Sequence, residues 1–210
     1  MKLHADFSTR LYEVPVHTYL LTKHNPNQIA MPTAQMQGSI RGITIHNTNC
    51  KPLLHGMTDA EQYTWKTVQG QMRDVRVHFY VDALGAWQTL PLSQAGWHAT
   101  DGAGNGNRHT IAIECIMSPL YTLADQKAED NCARLAAYLL MQFQLPQTAL
   151  FTHTHWLHVR DGAVENRKIL NTKPHSYKMC PSYILPHWDK FEQQVSLYYQ
   201  QLCVPAAATA

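Results

Sequence analysis

The chain has 210 residues, of which 45% are hydrophobic and 15% are charged, a composition too apolar for a disordered protein. Its length suffices for one good-sized domain that buries its own core. The net charge of +2 is far from the strongly basic charge that is typical of a nucleic-acid-binding domain. No apolar run reaches the ~18 residues that a membrane span needs.

The first 41 residues show no steady hydrophobic period, so we predict an irregular leader packed on the domain, with one short strand near 12–16. Lys2 is not followed by an apolar segment, and no secretory signal is therefore predicted. The apolar, β-branched run at 42–48 then predicts the first core strand.

A helix and a hairpin follow this strand. Thr58 precedes Glu61 by three residues, which is the spacing of a capping box and predicts a helix that ends near Gln71. The runs 77–82 and 87–90 predict a hairpin. Downstream we predict a Gly-rich loop over 93–107, a strand over 110–116, a helix over 123–144, a strand over 150–154, a polar stretch over 157–177 and a closing helix from Pro186.

Strands that alternate with helices are typical of an α/β fold. We predict a single domain in which helices flank a central mixed β-sheet. We place it at 42–203, with a short tail at 204–210. The five cysteines show no pairing pattern, so no disulfide scaffold is expected, whereas the 13 histidines nearly equal the 15 acidic residues in number.

Side-chain alternation along the strands predicts which residues share a face of the sheet. His46 points away from Ile45, and Glu114 points away from Ile113. By the same rule His153, on the predicted strand 150–154, points to one side together with His155 and Phe151. Polar side chains therefore gather at strand ends, where open α/β sheets form ligand crevices.

The sequence neighbours of Glu114 and Cys180 suggest chemical roles for both residues. Glu114 lies in an apolar strand, and a buried carboxylate needs a cation, a hydrogen-bond donor or a catalytic role. Cys180 follows Lys178 by two residues, and a nearby ammonium favours the thiolate that metals bind. By itself, Cys180 has the ordinary interpretation of a buried thiol.

Seven short motifs in a fixed order carry a resemblance to a known family. They are IHNT at 45–48, VHFYVD at 77–82, GWHA at 96–99, GNGN at 104–107, TIAIE at 110–114, THTHW at 152–156 and KMCP at 178–181. Over roughly 40–190 the sequence resembles the zinc-dependent N-acetylmuramoyl-L-alanine amidases of the type 2 class. That class includes phage endolysins, bacterial amidases and peptidoglycan-recognition proteins, and it implies their α/β fold.

The resemblance implies a zinc ion held by His46, His153 and Cys180. Zinc favours imidazole nitrogen and thiolate sulfur in a tetrahedral shell, and a catalytic site leaves the fourth position to water. Two other histidines are alternatives to His153 as the second ligand. His155 lies on the same predicted strand face as His153, and His175 is nearer to Cys180 in sequence.

The resemblance also implies the reaction. Glu114 matches the family's general base, and Lys178 matches the lysine that stabilises the oxyanion of the tetrahedral intermediate. The bond cut then joins the lactyl group of N-acetylmuramic acid to L-alanine of the stem peptide. The expected partner is peptidoglycan or a muropeptide, with neither nucleic acid nor a membrane span, and we expect a monomer.

Four residues match family positions near the substrate groove, with direct contact and loop scaffolding equally open: Asn47, Trp97, His98 and Asn107. His78 matches a recurrent family histidine, for which we favour the orientation of a neighbour. The chain also departs from its relatives. The 27 positions from His153 to Cys180 exceed the spacing in compact relatives, which implies an inserted loop at about 157–177. Val77 stands where some relatives have Tyr.

Three functions are compatible with these residues. The first is a phage or prophage endolysin, or a bacterial autolysin, made in the cytoplasm without a signal peptide and acting on the cell wall after holin-type release or lysis. The second is a cytoplasmic amidase that recycles soluble anhydro-muropeptides. The third is a non-catalytic module that binds peptidoglycan. The retained Cys180 favours catalysis, because recognition relatives commonly replace the thiolate ligand.

Overall fold

The computed structural model describes residues 2–28, 36, 40–49 and 56–204, apart from the side chain of Asn49. Within these residues the predicted α/β fold is confirmed: one mixed seven-stranded sheet is flanked by helices. Part of the predicted leader and nearly all of the tail at 204–210 lie outside the described residues. In the described part of the chain, no helix combines the length and apolar character that crossing a bilayer requires.

The sheet has the strand order β1-β2-β5-β4-β6-β3-β7. Its strands are β1 (Phe7–Leu11), β2 (Val14–Thr18), β3 (Gly42–Asn49), β4 (Phe79–Asp82), β5 (Gly85–Gln88), β6 (Thr110–Met117) and β7 (Leu150–Thr152). The helices are α1 (Leu21–His24), α2 (Asp59–Val68), α3 (Asn105–His109), α4 (Leu123–Gln142), α5 (His153–Arg160), α6 (Arg167–Leu170) and α7 (Trp188–Cys203).

Four neighbouring strands, β4, β6, β3 and the edge strand β7, run parallel to one another. β6 pairs with β3 on one side and with β4 on the other, and β3 also pairs with β7. The strands that the sequence predicts at 42–48 and 110–116, and the hairpin made by β4 and β5, are confirmed. Parallel strands put their carboxyl ends at one edge of the sheet, and this arrangement positions the site described below.

The predicted alternation separates a core face from a polar face. Ile43, Ile45, Ile111 and Ile113 are fully buried in the main core cluster, to which α4 and α7 also contribute. α4 supplies a stripe of small and aliphatic side chains, which lets it lie close to β6 and α7. The opposite face of the sheet carries His46 and Glu114.

The first two predicted helices begin where their sequences indicate, whereas the closing helix α7 begins at Trp188, two residues after the predicted start at Pro186. Thr58 and Glu61 form the predicted capping box of α2. Thr122 and Asp125 form a second capping box that starts α4. Because each box pairs backbone N–H groups that a helix start otherwise leaves unsatisfied, it fixes the first turn at that residue.

The described part of the leader is more regular than the sequence predicts. β1 and β2 form an antiparallel hairpin, and β2 extends the sheet by pairing with β5. Tyr12 and Glu13 make the turn with positive φ angles of 42° and 68°. Pro15 lies inside β2 and weakens its strand signal, although Val14 and Val16 on either side of it are buried.

The predicted strand 150–154 is wrong at its end. β7 stops at Thr152, whose side chain caps α5 by accepting a hydrogen bond from the backbone N–H of His155 at 3.0 Å. His153 and His155 therefore lie in the first turn of a helix, where strand alternation no longer relates them. α5 extends to Arg160, and α6 lies within the segment 157–177 that the sequence presents as an inserted loop.

Candidate metal centre and cleft

Three side chains from distant parts of the chain meet at the carboxyl end of the parallel strands. His46 lies on β3, His153 begins α5 directly after β7, and Cys180 lies between α6 and α7. All three are buried, and one ligand atom from each lies within 4.8 Å of the others. Two imidazoles and one sulfur at this separation are a donor set that can hold a metal ion.

Cys180 reaches the cluster because Thr154 holds its backbone. The hydroxyl of Thr154 accepts a hydrogen bond from the Cys180 N–H at 2.8 Å. The backbone N–H of Thr154 donates to the Cys180 carbonyl at 3.1 Å. These bonds fix the segment after α6 against the first turn of α5, so the long separation in sequence does not separate the two residues in space.

Nδ1 is the candidate ligand atom of both histidines. Nδ1 of His46 is 3.8 Å from Sγ of Cys180, and Nδ1 of His153 is buried with no hydrogen-bond partner among the described residues. Burial lowers the pKa of His46 well below its ordinary value and that of His153 to about 3, with neighbouring positive charges acting in the same direction. Both rings are therefore neutral near neutral pH, and their lone pairs are available to a cation.

The Cys180 thiol behaves differently from the sequence-based expectation. Burial and the charge of Glu114 raise its pKa to about 12, although Lys178 acts in the opposite direction. The neighbouring ammonium is therefore too weak to produce the thiolate by itself. A coordinated divalent cation deprotonates a thiol, so the donor set fits a metal that supplies this charge.

Glu114 lies opposite His46 in the paired register of β6 and β3. The hydroxyl of Thr48 donates a hydrogen bond to its Oε2 atom. Burial raises the pKa of Glu114, while the Thr48 hydrogen bond and the charge of Lys178 lower it again, and the net direction is upward. A carboxylate with a raised pKa is a stronger base than an ordinary surface glutamate.

A cleft of about 420 Å³ opens beside this cluster. It is lined by His46, Trp97, Thr100, Glu114, His153 and Lys178, among others. Lys178 is exposed. A larger cavity of about 640 Å³ lies between the N-terminal segment and α2, and it contains none of the predicted site residues. The chemistry-bearing side chains therefore favour the smaller cleft as the functional site.

The four predicted groove residues divide into two pairs. Trp97 and His98 line the cleft. Asn47 donates to the carbonyl of Cys115 at 2.9 Å and accepts from the N–H of Tyr183 at 2.7 Å, so its amide is used within the protein. Asn107 is likewise buried and bonded to the loop that carries His98. These contacts correspond to the scaffolding interpretation of both asparagines.

His78 supports the neighbouring strand. Its Nε2 donates to the carbonyl of Gln94 at 2.8 Å, and its Nδ1 accepts from the backbone N–H of Ala112 at 3.0 Å. Burial lowers its pKa to about 4, against the raising effect of the Gln94 hydrogen bond. This neutral ring fixes β6 two residues before Glu114, and its own ring lies 6.5 Å from that of His98.

Neither alternative for the second ligand reaches the cluster. His155 packs between the rings of Phe151 and Trp156 at centroid distances of 5.0 and 4.6 Å. His175 pairs with Asp161 at 2.9 Å. Among the described residues, His153 is the one of the three histidines that lies within ligand distance of His46 and Cys180.

Three threonines at the site are missing from the sequence-based analysis. Thr48 bonds to Glu114, Thr154 holds Cys180, and Thr100 contacts Nε2 of His153 at 2.9 Å. Thr48 and Thr154 fall inside motifs that the resemblance uses, so their positions carry a signal. Thr100 lies just outside such a motif and meets a ring 53 positions away, which no local pattern indicates.

Comparison with known proteins places the chain among amidases. A family model described as "N-acetylmuramoyl-L-alanine amidase" matches residues 36–182. Two relatives from Bacillus subtilis are named N-acetylmuramoyl-L-alanine amidases. XlyA is 33% identical over 118 residues, which are 55% of this chain and 32% of XlyA. CwlH is 31% identical over 158 residues, which are 73% of this chain and 52% of CwlH.

The fold comparison agrees with the family match. The solved catalytic domain of PlyG superimposes with a TM-score of 0.67 at 26% identity, covering 90% of this chain and 98% of that domain. By contrast, the match spans about half of CwlH and about a third of XlyA. The similarity therefore concerns only part of the length of these relatives.

Proposed function

The chain belongs to the N-acetylmuramoyl-L-alanine amidase family that matches residues 36–182, and from this premise we propose that it is a zinc-dependent peptidoglycan amidase. The bond that it hydrolyses joins the lactyl group of N-acetylmuramic acid to L-alanine of the stem peptide. The observation that carries the proposal is the buried cluster of His46, His153 and Cys180, whose ligand atoms lie within 4.8 Å of one another beside a cleft.

His46, His153 and Cys180 are the proposed zinc ligands. The donor set fits zinc in particular, since a mixed imidazole and thiolate shell is typical of that metal and three protein ligands leave one position open for catalysis. A bound zinc ion supplies Lewis acidity, which polarises the scissile carbonyl and lowers the pKa of a coordinated water molecule to about 7.

Glu114 is the proposed general base. It lines the cleft beside His46. Burial raises the pKa of its carboxyl group, which makes the carboxylate a stronger base. The Thr48 hydroxyl holds one carboxylate oxygen by donating a hydrogen bond to it. The other oxygen can then accept a proton from the attacking water and deliver it to the leaving amine.

Lys178 is the proposed oxyanion stabiliser. Lys178 is an exposed residue that lines the cleft together with Glu114, and its charge lowers the pKa of Glu114. A fixed positive charge favours the transition state over the neutral amide, because negative charge develops on the carbonyl oxygen only as the bond is attacked.

The groove residues take different proposed roles. Trp97 offers an aromatic surface of the cleft to the substrate. His98 contacts Nε2 of His46 through its Nδ1 at 3.0 Å, which favours support of a ligand over direct substrate contact. Asn47 and Asn107 are proposed to hold backbone segments around the site, because their amide groups are bonded within the protein.

Peptidoglycan is the proposed partner, and an endolysin or autolysin that reaches the wall after release is the favoured biological role. The family resemblance carries this role, and the relatives named amidases in Bacillus subtilis are consistent with it. We keep the predicted domain boundaries and the monomeric state as proposals. Activity on intact sacculi compared with soluble anhydro-muropeptides distinguishes this role from recycling, since a lytic enzyme must attack the polymer.

Product analysis tests the proposed reaction directly. Purified protein with stoichiometric zinc is incubated with peptidoglycan, and the digest is examined for free N-terminal alanine and for new reducing sugar ends. An amidase releases alanine amines without reducing ends, and chelation abolishes the release. Reducing ends without new amines would contradict the proposal, and tight muropeptide binding without any cleavage would indicate a recognition module.

A further inference from the structure

In the cluster of His46, His153 and Cys180, both imidazole rings have a side-chain neighbour at Nε2. His46 has Nδ1 facing Cys180 Sγ at 3.8 Å and Nε2 bonded to His98 Nδ1 at 3.0 Å. His153 has its Nδ1 buried, with no hydrogen-bond partner in the described part of the chain, and its Nε2 2.9 Å from Oγ1 of Thr100. In both rings the nitrogen left for a metal is therefore Nδ1, and Nε2 is occupied by a neighbour.

We propose that Thr100 is a positioning residue for zinc binding, which acts by fixing the tautomer and the orientation of His153. This inference rests on the zinc site proposed above. Ligation through Nδ1 leaves the ring proton on Nε2, which then donates to the Thr100 hydroxyl. A ligand histidine whose second nitrogen is bonded loses less rotational freedom on binding the metal and is a better electron donor.

The backbone of Thr100 gives a second reason for this role. Its φ angle is +59°, in the left-handed region that β-branched residues rarely adopt. Glycine or asparagine would occupy this position at lower conformational cost. A threonine in this unfavourable conformation, with its hydroxyl on a proposed ligand, is consistent with a role for the hydroxyl there.

The loop that carries Thr100 is braced from behind by Asn107. The Asn107 Oδ1 atom accepts from the backbone N–H groups of His98 at 2.7 Å and Ala99 at 2.9 Å. Its Nδ2 donates to the carbonyl of Gly102 at 2.9 Å. Because both ends of the 98–102 loop are tied to one buried amide, the loop is held in the shape that presents the Thr100 hydroxyl to His153.

Three variants of the full chain test the proposal. Thr100→Val removes the hydroxyl while keeping the β-branched shape and the same backbone cost. Thr100→Ser keeps the hydroxyl. Thr64→Val is the matched control, because Thr64 is a buried threonine of α2 whose hydroxyl bonds to none of the residues that the structure describes. The affinity for zinc is measured by competition with a chromophoric chelator, and the absorption spectrum of the Co²⁺-substituted protein reports the ligand geometry.

We expect Thr100→Val to weaken zinc binding by roughly 10-fold or more and to shift the Co²⁺ bands, as the loss of an outer-shell partner does elsewhere. Thr100→Ser is expected to bind zinc within about 3-fold of the wild type, since its hydroxyl still accepts a hydrogen bond from the Nε2–H group. Thr64→Val should match the wild type. Zinc affinity and Co²⁺ spectra of Thr100→Val that equal those of Thr64→Val would overturn the proposal.

The same titration separates this inference from the proposed function. If the wild-type protein binds no zinc, the zinc site itself fails. If the wild type binds one zinc ion tightly and Thr100→Val binds it equally well, the zinc site stands and only the positioning role fails. Thermal unfolding of each variant with excess chelator shows whether a loss of affinity reflects a damaged fold, and a folded Thr100→Val with weak zinc binding supports the proposal.

Discussion

At the scale of single residues, burial affects the pKa values of the three clustered side chains more than neighbouring charges do. Cys180, His46 and His153 are all buried. Burial lowers the pKa of the two histidines and raises that of the cysteine, so it favours the neutral form of each side chain. Neutral histidines suit a metal directly, whereas a neutral thiol must lose its proton to the incoming cation. Zinc binding is therefore expected to release a proton from Cys180.

Cys180→Ser is expected to lose most of the bound zinc and the activity together, because a neutral hydroxyl is a much poorer zinc ligand than a thiolate. Metal analysis of the purified variant and the alanine-release assay provide the measurements. Cys203→Ser is the matched control, since Cys203 is exposed on α7 far along the chain from the cluster. A Cys180→Ser protein that retains one zinc ion per chain would contradict the ligand assignment.

Glu114→Gln is expected to retain zinc and to lower the rate of alanine release by about 100-fold or more, because the amide keeps the shape but accepts no proton. Zinc content and turnover are measured on the same preparation. Glu165→Gln, an exposed change in the 157–177 segment, should turn over at the wild-type rate. Near-wild-type turnover by Glu114→Gln would exclude it as the general base.

At the scale of elements, local patterns predict the strands well and the second half of the site poorly. The placement of His46 and Glu114 on one face follows from the two-residue period of a strand and needs no tertiary information. The helical start of α5 depends on Thr152 acting as a cap, which a strand pattern ending in polar residues does not reveal. His153 therefore reaches the cluster by a geometry that alternation did not predict.

The segment 157–177 is tied to the central sheet by Asn171. This buried side chain accepts from the N–H of Thr152 at 3.1 Å and donates to the carbonyl of Leu150 at 3.1 Å. The hydroxyl of Thr152 in turn donates to the carbonyl of Asn171 at 2.8 Å. The segment is thus hydrogen-bonded to β7, the edge strand that leads into α5.

Asn171→Ala is expected to reduce the free energy of unfolding by roughly 1–3 kcal/mol, because it leaves two buried backbone groups of β7 without their partners. Urea denaturation monitored by circular dichroism measures the change. Asn105→Ala, which removes a weak side-chain contact of 3.5 Å, should change the stability by less than about 0.5 kcal/mol. Equal stability of the two variants would show that the Asn171 contacts contribute nothing.

At the scale of the whole molecule, the cluster joins parts of the chain that are far apart in sequence. His46 comes from β3, His153 from α5 and Cys180 from the segment before α7. The sequence order of the motifs predicted that these residues belong to one site. It did not predict the threonines that hold them, or the hairpin of β1 and β2, because those contacts depend on pairings between distant segments.

Zinc is expected to stabilise the folded protein, since the three proposed ligands converge only in the native state. Removing the metal by chelation should lower Tm by about 5–10 °C for a chain of this size. Differential scanning calorimetry with and without chelator gives the shift, and Cys180→Ser should show almost none. A wild-type Tm that does not respond to chelation would indicate that no metal is bound at the cluster.

The most direct test of the central claim is an anomalous diffraction measurement at the zinc absorption edge on crystals of the wild-type protein. The account predicts one strong peak bonded to His46 Nδ1, His153 Nδ1 and Cys180 Sγ, with a fourth position open toward the cleft that Glu114 and Lys178 line. Crystals grown with zinc that show no peak there, or a peak held by other side chains, would contradict it.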